Sequence, residues 1–457
     1  MAIDVVILAA GKGTRMKSRL PKVLHPLAGK PLLAHVVDTA KELEQSRLCV
    51  VVGHGSDMIR SRFSNENIHW VAQEEQLGTG HAVQQAVHFI NDNSIVLILY
   101  GDVPLISLKT LERMTASVTE NAMALLTVTL DQPTGYGRIV RDHQGRATAI
   151  VEEKDASDEQ RLIEEVNTGV MAVHAKNLKA WLPQLSDANA QGEYYLTDLI
   201  ALAGAEGIEV TTHQPGSSME TQGVNDRLQL QQLERCYQLS LARQLMTDGV
   251  TLADENRIDC RGTLITGFDT FIDVNSIFEG RVTLGDNVSI GPNCYIKDAS
   301  IGDNVRIKAN TVIEGPVTIE NEVDVGPFAR LRPNTFLRKG SRIGNFVETK
   351  KSDIGPGSKV NHLSYIGDTT VGSASNIGAG TITCNYDGVN KFETHIGDGA
   401  FIGSNSALVA PVTIGNQATV GAGSTITRDV ADNHLAIGRG KQKEVSGWKR
   451  PKKLRKD

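Results

Sequence analysis

Apolar and polar positions change rhythm twice along the chain. In the first half, Val5 to Ala10 is an unbroken apolar run that stops at Gly11, and Leu48 to Val52 and Ile95 to Tyr100 repeat the pattern. Short runs of this kind predict strands covered on both faces. Between them, Leu32 to Leu43 and Ala82 to Phe89 have a helical pattern. Buried strands alternating with helices predict a Rossmann-like α/β domain with a mainly parallel sheet. From Asp226 to Met246, Leu228, Leu230, Leu233, Tyr237, Leu241 and Leu245 recur at roughly helical spacing without Gly or Pro, and Gly249 offers a stop. One long connecting helix is predicted. The chain therefore reads as a front domain, 1–227, a linker helix, 228–249, and a rear domain, 250–457.

The rear domain has a different period. Apolar residues step by six through Leu284, Ile290 and Ile296, slip by one, and continue from Ile301 to Ile343. They resume at Ile354, Val360 and Ile366, then Val371 and Ile377, and close with Ile396 to Ile426. Several precede Gly, as in Ile290-Gly291 and Ile414-Gly415. Six residues are too few for a helix pair and suit one side of a coiled parallel β solenoid, with Gly at tight corners. The period fails at Thr349, within Glu348-Thr349-Lys350-Lys351, and again from Thr383 to His395. Polar groups cluster at both breaks, and local rules tend to break where function is built.

Composition narrows the classes. A chain of 457 residues exceeds one ordinary core. Only 5% of residues are aromatic, so branched aliphatics must fill the interior. A formal net charge of −6 gives no reason to expect nucleic acid. The five Cys are scattered without a C-x-x-C pair, which predicts free thiols in a reducing, cytoplasmic setting. The first apolar run is too short and lacks the basic start of a signal peptide. No stretch approaches the ~18 apolar residues of a membrane helix, so no membrane partner is expected.

The first strand runs into Leu8-Ala9-Ala10-Gly11-Lys12-Gly13-Thr14-Arg15-Met16, with Pro21-Lys22 beyond. Glycines after a strand let backbone N–H groups approach phosphates, and Arg15 and Lys22 add positive charge. No G-K-[ST] closes the loop, and the third Gly of a dinucleotide fingerprint is missing. The bland alternative is a tight strand–helix turn with solvated basic residues. The full string resembles the start of sugar-nucleotide pyrophosphorylases. That resemblance implies nucleotide contacts from Leu8, Ala9, Ala10, Gly11, Lys22, Gln73, Gly78 and Thr79, the last two in a loop entering a helix at Gly78-Thr79-Gly80-His81-Ala82. Tyr100-Gly101-Asp102 ends an apolar strand, where open α/β folds bind ligands. The resemblance makes Asp102 a Mg²⁺ ligand, with Asn225 the second, and assigns Gly137, Glu152, Asn167 and Glu193 to the sugar. Arg15 and Lys22 are the expected catalytic cations.

The whole pattern, front and rear, resembles the bacterial family of bifunctional N-acetylglucosamine-1-phosphate uridylyltransferases and glucosamine-1-phosphate N-acetyltransferases. The rear motifs that carry the match are Arg330-Leu331-Arg332-Pro333, Gly344-Asn345-Phe346-Val347-Glu348, Lys350, His362-Leu363-Ser364-Tyr365 and the run from Asn376 to Gly388. Thr349 stands where the family form has Met. The resemblance implies the left-handed parallel β-helix of hexapeptide acyltransferases, and a homotrimer with acetyltransferase sites between subunits. It makes His362 the base that deprotonates the sugar amine. Arg332, Lys350 and Tyr365 fall to the sugar phosphate, Asn376 to the sugar, and Lys391 to the same substrate. Ala379, Asn385, Tyr386, Ser404, Ala422 and Arg439 fall to acetyl-coenzyme A, with the Ala379 N–H a candidate oxyanion donor. Cys384 reads as a bystander thiol, because transfer in the family is direct. The implied sequence of reactions is acetylation of glucosamine 1-phosphate, then uridylyl transfer from UTP, making UDP-N-acetylglucosamine, a precursor of peptidoglycan and lipopolysaccharide. The basic tail from Lys449 to Lys456 reads as a solvated end.

Overall fold

The computed structural model describes residues 1–451; Lys452, Lys453, Arg455 and Lys456 of the basic tail lie outside them. The chain divides into two compact units, Met1–Ser240 and Leu241–Asp457.

The front unit is built on nine strands: β1 Ile3–Ala9, β2 Ser46–Val52, β3 His69–Ala72, β4 Ile95–Tyr100, β5 Ala122–Thr129, β6 Arg138–Arg141, β7 Ala147–Val151, β8 Glu165–His174 and β9 Glu209–His213. Across the sheet they run β9-β5-β8-β4-β1-β2-β3, with β6 and β7 a side hairpin joined through β6 to β8. The pairs β1–β2, β1–β4, β2–β3 and β5–β9 are parallel, as the apolar runs predict. Strand β8 runs antiparallel to both its neighbours. Every residue of β1 is buried. Val5, Ile7 and Ala9 enter the core on one side of the sheet and Val6 and Leu8 the core on the other, which is why the strand reads as a continuous apolar run rather than an alternation.

The helices differ from the sequence reading at their ends. One spans Leu32–Lys41, short of Leu43. The segment expected as a helix over Ala82 to Phe89 is a helix Thr79–Gln85 followed by a separate turn, Val87–Phe89. Gly78, at φ 104°, starts it three residues earlier than the apolar pattern shows. The linker helix runs Arg227–Thr247. Within the front unit Leu233 of this helix packs with Met16, Leu27, Leu32 and Val224. Within the rear unit its Ala242 is part of the solenoid's core.

The rear unit is a parallel β-helix. Two stacked sheets of 11 and 13 strands carry successive coils, and ladder partners lie 17 or 18 residues apart, as in Asn287–Asn304 and Asn275–Asn293. Three six-residue steps therefore make one coil, and the one-residue slips in the apolar period are the shorter coils. Ile272, Ile290, Ile307, Val325, Ile343, Val360, Ile377, Ile402 and Val420 stand in one inward column. Corner residues such as Asn293, Asn310 and Asn405 take left-handed backbone angles, φ 55–59°, which Asn tolerates better than most side chains.

The two expected breaks have different causes. Thr349 does not interrupt the coil: it pairs in register with Leu331 and Ile366 and is fully buried. Its hydroxyl meets that of Thr335 at 3.1 Å, so a polar side chain occupies an inward position by pairing with another. From Thr383 to His395 the break is real. Ile377 pairs with Ile402 across a loop in which Tyr386 bridges to Lys391 and Phe392 N–H donates to Asn385 O at 2.9 Å.

Candidate functional site

In the front unit the carboxyl ends of β1 and β4 lie side by side, Leu8 opposite Tyr100. From β1 the chain steps outward through β2 and β3, then returns to β4 on the other side of β1. Ligands bind open α/β sheets at such reversals. A cavity opens there, lined by Leu8, Ala9, Ala10, Gly11, Lys22, Gln73, Gly78, Thr79, Tyr100, Asp102 and Glu193. Val23, Gln76 and Ala82 also line it and escaped the sequence reading. Gln76 had a signal: it follows Gln73 in the same polar stretch and donates to its carbonyl at 3.1 Å. Gly101 is buried under the cavity, its N–H donating to Leu8 O at 2.9 Å.

Charged groups gather at the mouth. Arg15 and Lys22 stand on separate single turns, Thr14–Met16 and Lys22–Leu24. Gly13 lets one loop lie on the other: its φ is +59°, and a Cβ there would come within 2.7 Å of Lys22 Cβ. Arg15 donates to Asn225 Oδ1 at 3.0 Å. The Lys22 ammonium donates to the same oxygen at 3.2 Å and pairs with the Asp102 carboxylate. Val224 N–H donates to Asp102 O at 2.9 Å, tying the Asn225 segment to the end of β4. Two cations, Arg15 and Lys22, thus meet the oxygens of Asp102 and Asn225, with 210 positions between Arg15 and Asn225.

Gly137, Glu152 and Asn167 form a neighbouring group outside the cavity lining. Asn167 N–H donates to Gly137 O at 2.8 Å, and a Cβ at Gly137 would lie 3.3 Å from Glu152 Oε1. Burial pushes the Glu152 carboxyl up, against a hydrogen bond from Thr197. The Tyr100 ring connects the groups. A Cβ at Gly169 would strike it at 2.5 Å, and its hydroxyl bonds Thr79. Burial, then the charges of Glu152 and Asp102, raises the Tyr100 phenol well above its usual range, so it stays neutral.

In the rear unit the expected residues fall into three groups. His362 stands beside Asn345 on the neighbouring coil, its Nδ1 2.8 Å from Asn345 Oδ1. A second group contains Arg332, Lys350, Tyr365, Lys391 and Asn385. Arg332 pairs with Glu348 at 2.9 Å, and Lys350 donates to Asp368 at 3.0 Å. The Tyr365 ring lies over Gly367, whose added Cβ would come 2.4 Å from the phenol oxygen. Asn385 donates to Asp368, and Tyr386 stays exposed on the loop. The Lys350 ammonium, by donating to the neutral Lys391 amine and then by repelling its charged form, holds the Lys391 pKa below the ordinary lysine range. For Lys350, burial acts downward and Asp368 more than offsets it, so its pKa is raised.

The third group is a column. Asn405 N–H donates to Ala379 O and Gly423 N–H to Ser404 O, both at 2.7 Å, so successive coils stack beside Ala379, Ser404 and Ala422. Arg439 ends the column by donating to Ala422 O. Asn376 stands on the other ladder, between Lys359 and Phe401, and is not drawn into the Lys350 group within one chain. Asp368 is the residue sequence reasoning missed. It follows Gly367 inside a strand and carried no motif of its own.

Known proteins agree with this division. Residues 5–189 match the model of the MobA-like NTP transferase domain. Residues 264–298, 298–333 and 393–428 match the bacterial transferase hexapeptide model of six repeats. The bifunctional protein GlmU of Marinobacter nauticus is 60% identical over 99% of this chain and 99% of its own. That of Cellvibrio japonicus is 60% identical over 98% and 99%, and that of Stutzerimonas stutzeri 56% identical over 99% and 100%. With both modules in one chain, in the order of these relatives and over nearly their whole length, the protein belongs to the bifunctional GlmU family.

Proposed function

We propose that the chain acetylates glucosamine 1-phosphate with acetyl-coenzyme A at the rear site, then transfers UMP from UTP to the resulting N-acetylglucosamine 1-phosphate at the front site. The observation that carries this reading is the coexistence of two separately built anion sites. Lys22 lines a cavity at a strand-order reversal and shares Asn225 Oδ1 with Arg15, and Arg332, Lys350 and Lys391 gather on the solenoid beside an inserted loop.

At the front, a phosphate oxygen of the sugar phosphate attacks the α-phosphorus of UTP, and the bond to pyrophosphate breaks. Arg15 and Lys22 place positive charge where the triphosphate charge redistributes. The Gly11 backbone leaves room for phosphate approach, and Gln73, held by Gly78 O and His81, offers its amide to the base. Gly137, Glu152, Asn167 and Glu193 line the sugar's end. Asp102 and Asn225 suit Mg²⁺: two hard oxygens already converge on one cation, the Lys22 ammonium. When bound, Mg²⁺ would neutralise phosphate charge at those oxygens.

At the rear, the sugar amine attacks the thioester carbonyl, the amine proton passes to His362, and the C–S bond breaks to release the coenzyme thiolate, which takes up that proton and leaves as the thiol. With Nδ1–H donating to Asn345 Oδ1, the lone pair of His362 is at Nε2, ready to accept that proton. Arg332, Lys350, Tyr365 and Lys391 hold the phosphate. Asn385 and Tyr386 face the thioester, the Ala379 N–H serves the developing oxyanion, and the Ser404–Ala422–Arg439 column takes the coenzyme. Asn376 reaches the sugar from a neighbouring subunit of a homotrimer. Phe328 and Phe346, stacked at 5.3 Å, lie half-exposed at solenoid corners, with exposed Leu363 next to His362, as a subunit contact would require. Among the described residues no helix is long and apolar enough to cross a membrane.

Incubation with glucosamine 1-phosphate, acetyl-coenzyme A, UTP and Mg²⁺ tests the reading. UDP-N-acetylglucosamine, pyrophosphate and free thiol are expected together. Failure to form N-acetylglucosamine 1-phosphate when UTP is left out, or to convert it onward when UTP is present, would overturn it.

A further inference from the structure

One buried carboxylate lies between the two halves of the rear site. Asp368 is 4% exposed in a unit whose other ionisable groups are mostly at the surface. Its φ is +48°, a conformation uncommon for a residue with a side chain, though less so for Asp. An isolated carboxylate at such depth is destabilising unless it is paired and hydrogen-bonded. Asp368 is both. Oδ2 accepts from Lys350 Nζ at 3.0 Å and from Asn385 Nδ2, and Oδ1 lies 3.5 Å from Lys351 Nζ.

The partners come from different coils. Lys350, on the coil before that of Asp368, pairs in register with Gly367, whereas Asn385 follows the strand Ile382–Cys384 on the coil after it, where the inserted loop begins. Lys350 is the lysine assigned above to the sugar phosphate, and Asn385 the amide assigned to the thioester. One oxygen of Asp368 therefore fixes a group for the acceptor and a group for the donor at once. Without the carboxylate, Lys350 would face Lys391 with no opposing charge, and the Asn385 carboxamide would lose its anchor.

We propose that Asp368 is a positioning residue that couples the sugar-phosphate and acetyl-coenzyme A halves of the acetyltransferase site through Lys350 and Asn385. This rests on the rear-site assignment made above. It requires the occupancy of one half to influence affinity for the other, since both depend on the same oxygen.

The test uses the full chain and steady-state acetyl transfer, with each substrate varied in turn. Asp368→Asn keeps the shape and removes the charge. It should raise KM for glucosamine 1-phosphate and for acetyl-coenzyme A, each by about tenfold, within the range usual for coupled sites. In calorimetry glucosamine 1-phosphate should tighten the binding of coenzyme A to the wild-type protein, and Asp368→Asn should abolish that gain; no gain in the wild type overturns the proposal. A shift in only one KM, or an unchanged coupling, overturns the proposal. Asn385→Ala tests the link from the other side and leaves the buried carboxylate in place. It should raise KM for glucosamine 1-phosphate, which Asn385 does not itself hold, by about fivefold; a change confined to acetyl-coenzyme A overturns the proposal even if Asp368→Asn fails to fold. A wild-type chain without acetyl transfer would instead defeat the rear-site assignment.

Discussion

The two sites use similar groups but stand on scaffolds of different kinds. In the front unit, framework and chemistry are separate: β1 is buried through its length and β4 up to Tyr100 at its end, and the charged groups sit on loops beyond them. Arg15, Lys22, Asp102 and Asn225 converge from four places in the chain. In the rear unit the same strands do both tasks. In Glu348–Ile354, Thr349 points inward while Glu348 and Lys350 on either side point outward to the site. A front-site residue can therefore change with little effect on the sheet, whereas in the solenoid core and site are one position apart.

The strongest way to sharpen this contrast is to remove one group from each site in the same protein. Asp102→Asn should lower uridylyl transfer by about 10³-fold, and His362→Ala should lower acetyl transfer by 10²–10⁴-fold, roughly the ranges for lost charge stabilisation and general-base catalysis. Each variant should keep the other activity within about twofold. Separate assays for pyrophosphate and thiol release check this, and loss of both activities in either variant would mean the sites are not independent.

A smaller effect is expected at Gly13. Gly13→Ala puts a methyl group 2.7 Å from Lys22 Cβ at a left-handed φ, a strain of about 1–2 kcal/mol. If the loop relieves it by moving off Lys22, KM for UTP should rise by about tenfold while the melting temperature moves by only a few degrees. An unchanged KM would show that Lys22 is held by Asp102 alone.

At the rear the corresponding probe is pH. The Lys391 ammonium is held below the ordinary lysine range by Lys350. It therefore loses its charge at a lower pH than an isolated lysine, and KM for glucosamine 1-phosphate should begin to rise on the alkaline side earlier than Lys350 alone would cause. Lys391→Arg keeps the charge and should move that rise to higher pH. Identical KM profiles for the two proteins would remove Lys391 from phosphate binding.

The smallest change tests how separable core and chemistry are in the solenoid. Thr349→Val removes one hydroxyl of a buried pair, while Thr335 keeps its bond to Arg332 O at 2.8 Å. A cost of about 1 kcal/mol is expected in denaturant unfolding, with acetyl transfer unaltered. A marked fall in activity would show that Glu348 and Lys350 depend on the inward residue between them.

Much of this was legible in the sequence where physics is local. The apolar runs marked β1, β2 and β4 because both faces are covered, and the six-residue period marked the coils because every third step returns to the same column. The antiparallel course of β8 was not legible, since direction within a sheet depends on the path of the chain and not on its apolar pattern. Thr349 misled for a related reason: a polar residue in an apolar column reads as a break, and only the neighbouring coil reveals Thr335 opposite it. Gly11, Tyr100 and Asp102 were marked locally, by a glycine after a strand and by a strand end, while Gln73, Glu152, Asn167, Glu193 and Asn225 were named through the family resemblance. Asp368 was found by neither route, because its importance comes from Lys350 and Asn385 one coil away on each side. Its left-handed φ is invisible in sequence when the residue is not Gly.

The loop between Ile377 and Ile402 has one more consequence. The coil after it resumes its ladder, Ile402 on Ile377 and Val420 on Ile402, as though nothing had been inserted. The loop thus behaves as a cassette seated in a finished spool. Excising its tip, from Tyr386 to Lys391, and closing the gap with a short turn should leave the winding intact on either side. The remaining protein would be a monofunctional nucleotidyltransferase that must be fed its acetylated sugar from elsewhere. Gain or loss of a whole reaction step in such a chain could then depend on a few residues at one corner, with every other coil unchanged.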